Sequence, residues 1–219
     1  YLSILKAISF GKRKFSEIVN ETGIEKNILT KYLMTLERLQ VIEKEISITE
    51  EKPQKSRKGI YIISDNFFRF WFQYIFPYKS DLEIGRFDEV LRKMKESFNI
   101  LESNIYEKVS RDLLWGFRGK IFPFERAGRW WDKNEEIDIV ALNASNKEIL
   151  FGEIKWSNKQ VGTNILEDLK RKSKSVDWHN GIRKEHHLLC SKSGFTKDMI
   201  DLANREKILL IHKDKLLTH

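Results

Sequence analysis

Between Ile137 and Trp156 the sequence reads IDIVAL, then NASNK, then EILFGEIKW. Two short runs rich in Ile, Val, Leu and Phe, joined by Asn and Ser, predict a β-hairpin with strands over 137–142 and 148–156. If the tip falls at Ser145–Asn146, paired positions sum to about 291. Asp138 then lies opposite Glu153, and alternation puts Glu153 and Lys155 on one face. Two carboxylates facing each other repel on a bare sheet. A divalent cation between them turns the repulsion into binding, and hard carboxylate oxygens suit Mg²⁺ or Mn²⁺. Lys155 beside them can orient water or stabilise charge on a phosphate. Upstream, the helical stretch NILESNIYEKVSRDLL offers Glu107 as a further carboxylate, with Glu102 as its substitute.

The N-terminal part reads differently. YLSILKAIS, FSEIVNETG and IEKNILTKYLMTLERLQVI carry apolar residues at three- and four-residue spacing, predicting three short helices. Ser16 is the expected cap of the second and Gly23 its end. EKEISIT at 43–49 and GIYIIS at 59–64 predict two strands, with the basic tip Lys52, Lys55, Arg57 and Lys58 between them. Three helices followed by a basic-tipped hairpin predict a winged helix-turn-helix over residues 1–80. Lys26, Asn27, Thr30, Lys31 and Arg38 on the third helix, with Lys55, Arg57 and Lys58 at the tip, are the candidate nucleic-acid contacts. The same face can instead be solvated, or dock protein.

Composition narrows the classes. A net charge of +8 in 219 residues suits a polyanionic partner. One cysteine, Cys190, excludes an internal disulfide and predicts a reducing, cytoplasmic setting; a zinc site has no spacing to support it. The apolar stretch NFFRFWFQYIFPY at 66–78 is too short to cross a bilayer and reads as a core helix or an interface. A homodimer through that stretch is a further expectation. Trp130 and Trp131 alternate, so one is expected in the core and the other can stack a base. Lys159, Lys170, Arg171 and Lys172 form either a phosphate-tracking ridge or a solvated face.

Asp138, Glu153-Ile154-Lys155 and an upstream Glu107 resemble the PD-(D/E)XK nuclease superfamily, although Ile137 stands where its name motif has proline. That resemblance implies an α/β domain, here 81–219, with a mixed sheet flanked by helices in αβββαβ order. It implies Asp138, Glu153 and Glu107 as metal ligands and Lys155 as the catalytic base or charge stabiliser. The remaining pattern agrees, with helices expected at 163–174 and 196–204 and strands at 185–191 and 207–212. The segments FRFWFQYI, IYEKVSRDLL, GRWWDKNEEIDIVAL, FGEIKWS and SKSGFT further resemble the C-terminal (DUF234) region of the archaeal-type, DEXX-box ATPase family. Such proteins carry a P-loop ATPase domain ahead of this region. No G-x-x-x-x-G-K-[ST] occurs in this chain, which opens at Tyr1 inside a helical pattern. The expectation is therefore the C-terminal part of a longer protein. Its expected function is Mg²⁺- or Mn²⁺-dependent endonuclease cleavage of double-stranded or branched DNA. The alternative is a non-catalytic DNA-binding or regulatory module that keeps the nuclease fold as a scaffold.

Overall fold

The computed structural model describes residues 1–56 and 58–217; Arg57 and the side chain of Lys55 lie outside the described set. The chain divides into two compact units, one of Tyr1–Ile46 with Lys52–Leu101, the other of Ser47–Glu51 with Glu102–His219.

The first unit opens with α1 (Leu2–Ser9), α2 (Phe15–Thr22) and α3 (Lys26–Arg38), then β1 (Ile42–Glu45) and β2 (Ile60–Ile63). The two strands pair antiparallel, Ile42 with Ile63 through Glu45 with Ile60. Ile4, Ile8, Ile18, Leu29, Leu33 and Leu36 turn inward onto Ile42 and Ile63, completing a winged helix-turn-helix. Each such buried side chain contributes roughly 1.5–3 kcal/mol. Between α2 and α3, Gly23 takes a φ of +65°, a left-handed C-cap that a β-carbon would disfavour. Ser16 does not cap α2. The Glu17 carboxylate does, accepting the Arg13 and Lys14 amides at 3.0 Å each, so the helix starts two residues earlier than the serine suggested.

The aromatic stretch forms α4 (Asn66–Phe70), a π-helical turn at Trp71–Ile75 and a 3₁₀ turn at Phe76–Tyr78. Phe72 and Tyr74 are buried, whereas Phe67, Phe68 and Trp71 are exposed. Next come α5 (Lys79–Glu83) and the 30-residue α6 (Phe87–Gly116). Among the described residues no helix is long and apolar enough to cross a membrane.

The second unit is a six-stranded sheet, β3 (Arg126–Trp131), β4 (Glu136–Asn143), β5 (Glu148–Lys155), β6 (Lys184–Ser191), β7 (Leu209–His212) and β8 (Lys215–Leu216), in that spatial order. Strands β3, β4 and β5 run antiparallel, β5–β6–β7 run parallel and β8 returns antiparallel. The turn α7 (Arg118–Ile121) precedes β3, while α8 (Thr163–Ser173) and α9 (Lys197–Glu206) supply the two crossovers. With the C-terminal part of α6 ahead of it, the order is αβββαβ followed by a further αβ. One face packs Val140, Leu142, Phe151 and Leu189 under α8 and α9. The other packs Ile139, Leu150, Leu188 and Cys190 under α6, through Tyr106 and Leu114. Both faces are covered, so β4 and β5 read as near-continuous apolar runs rather than strict alternation.

One further detail departs from the sequence reading. Strand β1 stops at Glu45 instead of continuing to 49. Residues Ser47–Glu51 lie along β3, where the Ile48 amide donates to the Arg129 carbonyl at 2.9 Å and Arg126 Nη2 donates to the Ile48 carbonyl at 2.7 Å. His186 and His187 sit in β6, which has strands on both sides. His186 stacks on Phe122 at 4.8 Å, and its Nε2 lies 3.1 Å from Glu148. Burial holds His187 down to about 4, with its Nε2 unpartnered.

Candidate active site

The β4–β5 register follows the sum of 291: Ile139 pairs with Gly152, Val140 with Phe151 and Asn143 with Glu148. One step beyond the Ile139–Gly152 pair, Asp138 comes level with Glu153. Strict alternation nevertheless fails on β4. Against β3, Gly128 pairs with Val140 but Trp130 pairs with Ile137, so two residues, Asp138 and Ile139, oppose the single Arg129. That is a β-bulge, a device that re-aims a side chain at a sheet's margin. Because of it, Ile137 and Val140 share one core face, a pairing that alternation forbids.

Asp138 is 8% exposed and Glu153 6%. The Asp138 Oδ2 accepts the Ile154 amide at 2.9 Å, which fixes its carboxylate across the hairpin. Arg111, on α6, donates to the Asp138 carbonyl at 3.4 Å and lies 3.9 Å from Glu107. Burial pushes the Asp138 carboxyl up to about 7, helped by the negative charges of Glu153 and Glu107 and opposed by the Ile154 amide and Lys155. Cys190 feels the same charge. Burial first, then Asp138, lifts its thiol to about 12, so it is an inert core group.

Glu153 carries two ammoniums. Lys155 Nζ donates to Oε1 at 2.7 Å, and Lys172 Nζ reaches Oε1 at 3.4 Å and Oε2 at 3.3 Å. The structure therefore brings Asp138, Glu153 and Lys155 together, with Glu107 contributing its field from α6. Glu102 is engaged elsewhere, accepting the Trp156 indole N–H at 3.2 Å. Trp156 leans on Tyr106 at 4.8 Å, under the ammonium of Lys192 at 4.3 Å. Trp130 is in the core and Trp131 is half-buried. The residue that sequence reasoning placed only in a surface ridge is Lys172. Its signal was available, since Ile165, Leu169 and Lys172 are spaced i, i+4, i+7 and so share the inward stripe of α8.

A divalent cation fits this donor set by its chemistry, which is hard, buried carboxylate oxygens, with Glu153 and Glu107 raising the proton affinity of Asp138. As the side chains stand, Glu153 is paired with two lysines, Asp138 accepts the Ile154 amide and Glu107 lies 3.9 Å from Arg111. Among the described residues no group of three or more His, Cys, Asp and Glu is gathered into a cage for a metal.

On α3 the side chains of Lys26, Asn27, Thr30, Lys31 and Arg38 are all exposed, and the Thr30 hydroxyl donates back to the Lys26 carbonyl at 2.8 Å. Lys58 is exposed at the wing. The expected contacts at Lys55, as a side chain, and at Arg57 fall outside the described residues.

Fold and strand order define a winged helix followed by a mixed six-stranded sheet flanked by helices, the architecture that the resemblance implied. Residues 71–172 match the model of the DUF234 family, described as archaea bacterial proteins of unknown function. An uncharacterized protein of Methanocaldococcus jannaschii is 41% identical over 181 residues, covering 80% of this chain. The chain spans 40% of that relative's length. Among solved structures, a repair endonuclease from Pyrococcus abyssi has a TM-score of 0.31 at 14% identity, covering 47% of this chain and 45% of its own. A Vibrio cholerae protein has a TM-score of 0.37 at 14% identity, covering 97% of this chain and 47% of its own.

Proposed function

We propose that the second unit is a Mg²⁺- or Mn²⁺-dependent phosphodiester hydrolase and that the winged helix docks its DNA. The observation that carries this reading is the buried pair Asp138 and Glu153 at the end of the β4–β5 hairpin, with Lys155 bonded to Glu153 at 2.7 Å. Asp138 and Glu153, with Glu107 as third carboxylate, would hold the cation. When bound, it would polarise a phosphate oxygen and lower the pKa of a water. The chain's own groups have separate tasks. The Ile154 amide keeps Asp138 turned toward the hairpin end. Lys155, 37% exposed at its side chain, can leave Glu153 to hold the attacking water or a phosphate oxygen. The exposed Lys31 and Arg38 would track phosphates from α3, binding in a salt-dependent way.

A P-loop ATPase domain elsewhere in the whole protein, and self-association through the exposed Phe67, Phe68 and Trp71, belong to the same proposal. The second reading, a DNA-binding scaffold without catalysis, is favoured by one observation: Glu153 is already matched by two lysines.

The deciding experiment incubates the chain with supercoiled and branched DNA and Mg²⁺ or Mn²⁺, measuring nicking and DNA binding in the same samples. Nicking that needs the cation and drops by about 100-fold or more in Asp138→Ala and Lys155→Ala supports the nuclease. Binding without nicking leaves the scaffold. Binding that does not weaken as salt rises removes the docking role.

A further inference from the structure

The two lysines on Glu153 are not equivalent. Lys155 touches one carboxylate oxygen and keeps 37% of its side chain exposed. Lys172 touches both oxygens, is 15% exposed, and lies 3.3 Å from Asp168 Oδ2, one turn earlier on α8. Asp168 is itself held by Arg171, through Nη2 at 2.8 Å and Nε at 3.1 Å, and Arg171 also grips Glu135, next to the start of β4. A chain of alternating charge thus runs from Glu135 through Arg171, Asp168 and Lys172 to Glu153. Its outer links are solvated and individually weak. The inner link ends on a carboxylate that is almost fully buried, where losing a partner strands a charge.

We infer that Lys172 is a positioning residue: its ammonium, anchored by Asp168, holds the Glu153 carboxylate in place for a divalent cation while Lys155 is the ammonium that yields. This rests on the metal-dependent reading above. It divides labour between two cations that the sequence presents as one strand lysine and one ridge lysine. Stem packing supports the assignment, because Ile165 and Leu169 on the same stripe pack into the core and direct Lys172 at the sheet.

The test is Mn²⁺ binding to the whole chain, followed by the loss of the free-ion paramagnetic resonance signal, in the wild type and in Lys155→Met, Lys172→Met, Lys172→Arg and Asp168→Asn. Electrostatics alone says that deleting any nearby ammonium tightens a cation. Lys155→Met is therefore expected to bind Mn²⁺ several-fold more tightly. Lys172→Met is expected to bind about 10-fold more weakly, as loss of a ligand's outer support does, with Lys172→Arg recovering most of the affinity. Asp168→Asn, which leaves both lysines in place, is expected to fall between the wild type and Lys172→Met. Tightening by Lys172→Met, or by both methionine variants alike, makes Lys172 a plain counter-ion and overturns the assignment alone. Absence of Mn²⁺ binding by every protein overturns the metal-dependent reading and the assignment with it.

Discussion

At the scale of single residues, Asp138 carries the most information about this chain. Its carboxyl, pushed up to about 7 by burial and by Glu153 and Glu107, keeps its proton in the folded chain over a range where an unfolded aspartate has lost it. Folded and unfolded chains then differ in bound protons between about pH 4 and 7. Stability from this group is complete below pH 4, drains away as the pH rises, and is gone above 7. Asp138→Asn keeps an oxygen for the Ile154 amide while removing the charge. The variant is expected to match the wild type at pH 4 and to exceed it at pH 8, on the order of 2 kcal/mol in urea unfolding. A difference that is constant with pH would show that the carboxylate is not strained by its neighbours. Such strain is what a cation at the proposed site would relieve.

At the scale of elements, the hairpin depends on a position that carries no side chain. A β-carbon built on Gly152 would stand 2.9 Å from the Ile139 Cβ and 3.5 Å from the Leu188 Cβ, so β4, β5 and β6 close over this glycine. Gly152→Ala is expected to cost roughly 1–3 kcal/mol by overpacking, read as a lower Tm, with the register and the Lys155–Glu153 bond spread apart. An unchanged Tm would mean that the strands have slack there. The glycine also shows what the sequence could tell. The register was legible because the tip residues Ser145 and Asn146 and the two apolar runs admit few pairings. The bulge at Asp138–Ile139 was not, since an inserted residue leaves no compositional mark and both flanking residues, Ile137 and Val140, are apolar either way. Glu17 displaced Ser16 as the cap because its longer side chain reaches two amides at once. Lys172 was read as surface because its charge outweighed its place on the stripe of Ile165 and Leu169.

At the scale of the whole molecule, the chain is not two beads in succession. Ser47–Glu51 lie in sequence between the two strands of the winged helix, yet they belong to the second unit. There Ile48 fills the space over Gly128, with its Cδ1 3.3 Å from where a β-carbon would stand, and joins the core of Ile137, Val140 and Phe151. The sequence ISIT could not reveal this, because an alternating strand reads alike in either sheet. The segment also covers the outer edge of β3, whose free amides and carbonyls would otherwise invite another chain. It follows that no single cut separates the units. Ile48→Ala in the full chain is expected to destabilise the second unit by roughly 2–4 kcal/mol, read from the unfolding of the Trp130 environment. A fragment from residue 102 onward, lacking the segment altogether, is expected to melt lower still and to associate through the bared edge. If that fragment instead matched the full chain in Tm and stayed monomeric, Ser47–Glu51 would be passengers on β3. The second unit would then be complete without its insertion from the winged helix.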